Sequence, residues 1–273
     1  MIATVVVSFT SCGPTDWEKV QKDGKIICGI TIYEPMNFKD EDGNLVGFDT
    51  EFAKLVGEKL GVEIEFQEIK WGNKYVELNA GNIDCIWNGF TSNSKDDDGV
   101  ERSEKVDFSY AYADNKQCIV VKQENLASIT SAASLQGKNG AAEAGSAGET
   151  YAKSVTTTVT GKTAQMDTFP EVKSGAVDFA VVDVLLAQNI VGQGNYSDLA
   201  IVSFDVIDIA PEVYSIGCRK GSDLDEKINE AIIELLNEGK LEELAAKYTK
   251  YNDDGSVKMA VRLTDSLLAM KTK

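Results

Sequence analysis

The stretch KIICGITI, residues 25–32, is an almost unbroken run of apolar residues. Such a run is typical of a strand that is buried on both faces of a parallel sheet. Apolar residues at helical spacing follow it and predict a helix that ends at Gly61. Residues 62–66 and 83–90 predict two further strands, with a short helix over residues 75–80 between them. Strands that alternate with helices through short links predict an α/β fold with parallel sheets.

A short pattern from this region returns later in the chain. NAGNID, residues 79–84, is echoed by KSGAVD, residues 173–178. In both patterns a glycine ends a helix, a β-branched residue opens a strand, and an aspartate follows. The echo suggests two lobes of similar construction, one near each pattern.

Length and composition narrow the range of functions that this chain can have. A chain of 273 residues can bury two modest cores. It carries 27 Lys and Arg against 44 Asp and Glu, a net charge of −17, so we expect no nucleic-acid partner. There is no histidine, which removes the commonest general base and the commonest zinc ligand. We therefore expect no enzyme, no catalytic residue, no cofactor and no bound metal.

The first residues point to export. The apolar stretch MIATVVVSFTS, residues 1–11, is too short to cross a bilayer, which needs about 20 residues. Small residues precede Cys12, as in the lipobox of bacterial lipoproteins, and this resemblance implies a lipidated Cys12. Phe9 stands where a Leu or Val is usual, and no basic residue precedes the apolar run, so the remnant of an incomplete signal peptide is the alternative.

The other four cysteines each lie in an apolar stretch, and none forms a C-x-x-C pair. An exported protein can hold disulfides, but four cysteines allow three pairings. Buried free thiols are the interpretation that we favour. These cysteines are Cys28, Cys85, Cys118 and Cys218.

Several segments, in order along the chain, together resemble one family. The segments are PMNF (35–38), DGNLVGFD (42–49), IDCIWNGFT (83–91), AGS (144–146), VDFAVVD (177–183) and YSIGCRKG (214–221). From about residue 25 to residue 251 the chain resembles the solute-binding proteins of polar amino-acid ABC transporters, the bacterial extracellular solute-binding proteins of family 3. The resemblance therefore covers most of the chain.

The resemblance implies a type II periplasmic-binding-protein-like fold. In this fold two α/β lobes with parallel-core sheets flanked by helices are joined by two crossover hinge strands. The expected division is 1–16 for a signal or lipoprotein anchor and linker, 17–114 plus 212–255 for lobe 1, 115–211 for lobe 2, and 256–273 for a C-terminal tail. The hinges would lie near residues 114–117 and 209–214. Ligand would lie between the lobes, at the carboxyl ends of the strands.

The resemblance also implies an arginine that binds the ligand's carboxylate with its planar fork. Arg102 stands six residues before Phe108, as the family's arginine does. However, residues 94–100, SKDDDGV, lengthen the preceding loop by about six residues relative to the family. Counting forward without a gap puts Lys95 or Asp96 in that position instead. We favour Arg102, with Lys95 as the alternative and a solvated surface arginine as the other interpretation.

Further implied ligand contacts lie on both lobes. Asp183 matches the acceptor of the α-ammonium group, or else it is an ordinary helix cap at a strand end. Ser146 opens a predicted helix, whose start attracts carboxylates, although plain capping would explain it too. Thr91 and the carbonyl groups of Asn88 and Gly89 would complete the shell around the ligand.

Two aromatic residues are implied as the walls of the site. Tyr33 stands two residues before Pro35, and Trp71 seventeen before Asn88, as in the family. Flat rings enclose an apolar side chain at low entropic cost, and the alternative for each is a core position.

The side chain of the ligand is predicted to be neutral. Family members that bind basic amino acids place a carboxylate three residues before the tyrosine, and here that position is Ile30. A buried cation without a partner is heavily penalised, and cation–π contact with Trp71 offsets only part of this. Glu34 or Glu143 is the alternative source of a carboxylate.

The resemblance implies an extracytoplasmic protein that captures a free amino acid and delivers it to the permease of an ABC importer. We expect a monomer that meets the membrane through a lipid anchor only. One alternative is a dehydratase of amino-acid precursors on the same fold, with Glu143 or Glu149 as its acid. Another is the ligand-sensing domain of a receptor, which would need a transmembrane helix and a signalling segment.

Overall fold

A computed structural model describes residues 13–272. The expected lipidation site, Cys12, lies outside the described residues. The helices are α1 (Asp16–Asp23), α2 (Phe48–Leu60), α3 (Lys74–Ala80), α4 (Arg102–Lys105), α5 (Ala147–Val155), α6 (Thr168–Ser174), α7 (Val184–Ile190), α8 (Leu224–Asn237), α9 (Lys240–Lys247) and α10 (Asp265–Leu268). The strands are β1 (Lys25–Ile30), β2 (Phe38–Lys39), β3 (Leu45–Val46), β4 (Glu63–Glu68), β5 (Cys85–Ile86), β6 (Val106–Phe108), β7 (Ala113–Lys122), β8 (Asn139–Glu143), β9 (Thr158–Lys162), β10 (Phe179–Asp183), β11 (Leu199–Ile201), β12 (Pro211–Tyr214), β13 (Gly217–Arg219), β14 (Lys250–Tyr251) and β15 (Val257–Met259).

Two mixed sheets organise the molecule. The first has the order β4-β1-β5-β13-β6, with β1 parallel to both β4 and β5 and with β13 antiparallel to its neighbours. The second has the order β11-β7-β10-β8-β9, with β8 parallel to both β9 and β10. We call the unit around the first sheet lobe 1 and the unit around the second lobe 2. The expectation of a two-lobed α/β fold with parallel-core sheets is confirmed.

The echoed sequence patterns form the same local structure in the two lobes. Gly81 and Gly175 each end a helix in the left-handed conformation, with φ of 76° and 80°. Beyond them, the Asp84 carboxylate accepts a hydrogen bond from the backbone N–H of Ile27 on β1. The Asp178 carboxylate likewise accepts a hydrogen bond from the backbone N–H of Asn139, the first residue of β8. The carboxylate in each pattern therefore ties the start of a strand to its parallel neighbour.

Two antiparallel strands connect the lobes. Strand β7 begins beside lobe 1 and continues into the second sheet, while β12 runs back along its first half. The paired residues include Ala113 with Tyr214 and Lys116 with Pro211. This two-stranded ribbon coincides with the segments that the sequence nominates as hinges.

The strand predicted over residues 83–90 is much shorter than expected. Only Cys85 and Ile86 have strand geometry. Beyond them the chain turns away from the sheet, because the Asn88 side chain bonds to the loop that follows β1 and Gly89 adopts a φ of +54°. Asn88 and Gly89, from the end of the predicted strand, line the cleft between the lobes.

The C-terminal tail is ordered and packs against the connecting ribbon. Met259, Val261 and Leu267 are buried, and β15 pairs with β14. The Arg262 carbonyl accepts a hydrogen bond from the Asp114 N–H at the start of β7. Residues 256–272 therefore form part of the fold, which their weak amphipathic pattern did not predict.

The four cysteines of the described chain are buried and unbonded. Cys28 and Cys85 face each other on neighbouring strands, with 3.6 Å between their sulfur atoms. Burial, and for Cys85 above all the neighbouring thiol, raises the pKa of the Cys85 and Cys218 thiols well above the usual range.

Candidate functional site

A small closed cavity lies between the lobes and holds most of the residues that the sequence nominates. Its volume is about 10 Å³, roughly the room that one water molecule needs. Seven of the nominated residues line it, namely Trp71, Asn88, Gly89, Thr91, Arg102, Ser146 and Asp183. The other lining residues are Gln117, Glu143, Ala147 and Gln165. Tyr33 does not line the cavity.

Arg102 is held at the cavity from three sides. It is 1% exposed, and its Nε donates to Asp96 at 2.9 Å. Its Nη1 donates to the Thr91 carbonyl at 3.0 Å, and its Nη2 contacts the Gly145 carbonyl of lobe 2 at 3.4 Å. The guanidinium fork thus meets only neutral carbonyl groups on the cavity side, where a carboxylate would be a stronger partner.

Lys95, the alternative cation, lies outside the cavity. Its side chain is 59% exposed and pairs with Glu101 at 3.3 Å. The inserted loop therefore projects away from the site at Lys95 and returns to it at Asp96. Of the two cations that the sequence leaves open, the structure brings Arg102 to the cleft.

Asp183 stands at the end of β10 and is surrounded by amide donors. Asn115, Gln117 and Gln165 all donate to its carboxylate. Glu212 accepts from the same Asn115 and Gln117 amides, at 2.8 and 2.9 Å. Burial raises the pKa of both carboxyl groups, and for Glu212, with Asp183 adding to the effect, to about 7. Two carboxyl groups thus share one set of donors, which favours a cation between them.

Ser146 acts as the N-cap of α5 and also faces the cavity. Its hydroxyl accepts a hydrogen bond from the Glu149 N–H at 3.0 Å. The Glu149 carboxylate does not complete a capping box, because it accepts from the Gly145 N–H at 2.8 Å instead. Ser146 and Ala147 therefore place the start of a nine-residue helix, with its partial positive charge, at the cavity.

Asn88, Gly89 and Thr91 make the lobe 1 floor. The Asn88 side chain is used internally, since it donates to the Thr31 carbonyl and to Asn37. Gly89 donates its N–H to Asp49 at 2.7 Å, and its positive φ and its closeness to the Tyr33 ring leave no room for a side chain. The hydroxyl of Thr91 donates to Glu212 at 3.1 Å.

The two nominated aromatic residues occupy different positions. Trp71 lines the cavity and is 4% exposed. Tyr33 lies behind Gly89, and its hydroxyl is 2.9 Å from that of Tyr214. Trp71 thus forms a wall of the cavity, while Tyr33 supports its floor.

Sequence reasoning missed Lys74. Its ammonium group donates to the Gly145 carbonyl across the cleft at 2.9 Å and lies 5.1 Å from the centre of the Trp71 ring. Burial, with Arg102 nearby, lowers the pKa of Lys74 to about 7. The signal was its spacing from Leu78, since a lysine four residues before a buried leucine lies on the buried face of its helix.

Comparison with known proteins agrees with this geometry. Residues 26–251 match the bacterial extracellular solute-binding proteins, family 3. The chain belongs to this family. The resemblance drawn from the sequence segments is therefore confirmed, and with it a solute-binding role for the protein.

Named relatives of this solute-binding protein are binding proteins. The arginine-binding extracellular protein ArtP of Bacillus subtilis is 30% identical over 254 residues, which cover 90% of this chain and 94% of ArtP. A substrate-binding protein of an ABC uptake transporter from Streptococcus pneumoniae, solved with bound histidine, is 30% identical, with a TM-score of 0.75 over 86% of this chain and 96% of that one. An ancestral amino acid-binding protein, AncCDT-1, described as a precursor of cyclohexadienyl dehydratase, is 28% identical, with a TM-score of 0.73 over 85% and 98% of the two chains.

None of the helices in the described part of this family member combines the length and the apolar composition that crossing a membrane requires.

Proposed function

We propose that the protein captures a free amino acid between its two lobes and delivers it to the permease of an ABC importer. The observation that carries this proposal is the charge pattern of the cavity. Arg102 on lobe 1 and Asp183 on lobe 2 both line the cavity, and Asp183 shares its amide donors with Glu212 beside it. A zwitterion needs a cation for its carboxylate and an acceptor for its ammonium group, and this pair of sites provides both.

The cavity is too small for an amino acid as it stands. Entry therefore requires the lobes to separate, and the β7–β12 ribbon is the connection about which they can rotate. A ligand that touches both lobes stabilises their approach, because only the closed arrangement gains both sets of contacts. Arg102 and Thr91 would hold the ligand on lobe 1, and Asp183 and Ser146 on lobe 2.

We propose binding without turnover. The alternative of a precursor dehydratase has one observation in its favour, which is Glu143. Burial, with Asp183 nearby, raises the pKa of this carboxyl group to about 8, as proton donation at neutral pH requires. Incubation with cyclic amino-acid precursors would distinguish the two functions, since product formation that is lost in Glu143→Gln would establish the enzyme.

We propose lobe boundaries at 17–114 plus 212–255 and at 115–211, a lipid on Cys12 that holds a monomer at the cell surface, and no further membrane contact. The apolar residues before Cys12 and the family's extracellular location support this arrangement.

A thermal-shift screen of the twenty amino acids tests the proposed function. A ligand at 100 times its dissociation constant stabilises the folded state by about 2.7 kcal/mol, which raises Tm by roughly 5–10 °C for a protein of this size. We expect at least one amino acid to produce such a shift, and mass spectrometry of the ligand released from denatured protein to find the same compound. If none of the twenty raises Tm and no amino acid is released, the proposal is wrong.

A further inference from the structure

Glu143 is the cavity residue whose polar atoms the fold leaves least satisfied. It ends β8, is 3% exposed and lines the cavity beside Trp71. Its Oε1 is buried and has no hydrogen-bond partner within residues 13–272. A buried carboxylate oxygen without a donor is costly, and proteins rarely tolerate one unless something else supplies the donor.

The groups that face Glu143 do not supply that donor. Asp183 on β10 and Asp167 repel a charge there and help burial to raise its pKa. Thr31 and Lys74 act in the opposite direction, but the Thr31 hydroxyl donates its hydrogen bond to Asn88 at 2.7 Å. However, the Lys74 ammonium donates to the Gly145 carbonyl, and no ion pair joins Lys74 to Glu143 in the described chain.

The other buried carboxyl groups of the cleft accept hydrogen bonds from donors of the protein. Asp183 and Glu212 share the Asn115 and Gln117 amides. Glu34, the second carboxylate that the sequence left open for the ligand's side chain, pairs with Lys250 at 3.1 Å and does not line the cavity. Asp183 is the proposed acceptor of the ligand's ammonium group, so Glu143 is the buried cavity carboxylate that is left for the ligand's side chain.

We propose that Glu143 determines specificity for the ligand's side chain, and that this side chain ends in a cationic nitrogen, as in lysine or arginine. The inference rests on the proposed amino-acid site. A cation paired with Glu143 would satisfy the unpartnered oxygen, whereas an acidic side chain would face both Glu143 and Asp183. Trp71 beside it offers a flat surface for an alkyl stem or a guanidinium plane.

The inference reverses the expectation of a neutral side chain, which rested on Ile30. Ile30 is fully buried in β1, and it stands where family members that bind basic amino acids have a carboxylate on lobe 1. Glu143 restores one from lobe 2, at the carboxyl end of a strand parallel to β10. The ligand's side chain would then be bound by the lobe opposite to the one that Ile30 belongs to.

Calorimetry with two pairs of matched ligands tests the proposal. Citrulline is the uncharged isostere of arginine, and norleucine is lysine without its terminal ammonium group. We expect the wild-type protein to bind the cationic member of at least one pair ~30-fold more tightly than its neutral partner, as for a desolvated charge pair. Glu143→Gln should abolish that preference by weakening the cationic ligand ~30-fold while changing the neutral one less than about threefold.

Glu34→Gln is the matched control and should bind both pairs as the wild type does. The proposal is overturned if the neutral member of each pair binds as tightly as the cationic one, or if Glu143→Gln weakens both members equally. The comparison of cationic and neutral ligands in the wild-type protein tests the proposal even if Glu143→Gln does not fold. If none of the four ligands binds but a neutral amino acid raises Tm in the screen of twenty, only this inference is overturned. If no amino acid raises Tm in that screen, the proposed function is overturned as well.

Discussion

Arg102 illustrates how a buried cation can be prepared for a ligand. Asp96 fixes its Nε, and Phe90 lies 5.2 Å beneath the guanidinium carbon. The two terminal nitrogens meet only carbonyl oxygens, on Thr91 and Gly145. A ligand carboxylate can therefore replace two weak partners without displacing the charge that orients the side chain.

We expect the largest losses of affinity when Arg102 or Asp183, the proposed partners of the ligand's two charges, is replaced. Arg102→Ala and Asp183→Asn should each weaken amino-acid binding by at least ~2 kcal/mol, as removal of one partner from a desolvated charge pair usually does. Isothermal titration with the amino acid found in the screen measures the change. Lys95→Ala, in the exposed alternative cation, should bind normally, and the reverse pattern would show that the inserted loop has been placed wrongly.

At the level of single residues the sequence predicted which side chains reach the cavity where backbone position decides it, while their role in binding stays a prediction. Trp71, Thr91, Arg102 and Asp183 all reach the cavity. Tyr33 does not reach the cavity. The backbone of Gly89, at a positive φ, lies against the Tyr33 ring on the side of the cleft. Such a displacement depends on tertiary packing and cannot be read from spacing.

Among the elements, the inserted loop over residues 94–100 has a role that its length alone did not suggest. Asp96 faces inward, to Arg102 and to the Tyr75 hydroxyl at 2.7 Å. Asp97 faces lobe 2, where the Thr150 hydroxyl donates to it at 2.9 Å and the Lys153 ammonium pairs with it. The loop therefore fixes Arg102 with one aspartate and bridges the lobes with the next.

Removal of the bridge should speed the release of ligand. Asp97→Ala should raise the dissociation rate by about threefold, because an exposed ion pair contributes at most ~1 kcal/mol and forms only when the lobes are together. The effect should shrink between 0.05 and 0.5 M salt, as screening predicts. Stopped-flow measurement of dissociation checks this, with Asp98→Ala as the control because Asp98 pairs with Lys105 inside lobe 1. Equal rates for Asp97→Ala and the wild type at low salt would contradict the bridge.

Element boundaries could be predicted where local chemistry sets them. Gly61, Gly81 and Gly175 end their helices in the left-handed conformation, as their sequence positions indicate. The strand over residues 83–90 was predicted too long, since its apolar pattern continues after the hydrogen bonding of the sheet has ended. A buried cleft floor and a buried strand have the same composition, so hydrophobicity does not distinguish them.

For the whole molecule, the main expectation is a change of shape on binding. The cleft admits no amino acid in the closed arrangement described here, so the ligand-free ensemble must include more open forms. Small-angle scattering should show a smaller radius of gyration when a saturating concentration of the cognate amino acid is present. Asp183→Asn at the same ligand concentration should stay extended, and an unchanged radius for the wild type would argue against a two-lobed clamp.

The tail shows what a family pattern cannot predict about the whole molecule. The family match ends at residue 251, while Met259, Val261 and Leu267 lie in the core beyond it. Their weakly amphipathic pattern indicated no partner, because the surface that the tail covers is assembled from the ribbon, from α7 of lobe 2 and from α8 and α9 of lobe 1. Only the three-dimensional structure brings those segments together.

The strand order of the first sheet has a consequence for how the chain acquires its structure. Strand β13, Gly217–Arg219, lies between β5 and β6, although more than a hundred residues separate it from them in sequence. A chain exported from its N-terminus exposes β7 to β11 before β13, so the second sheet can close while β5 and β6 of the first sheet still lack their common neighbour. Long-range pairing of this kind is slow and leaves unpaired edges that associate with other chains. Lobe 1 is thus the half that emerges early, matures late and most needs protection from aggregation during secretion.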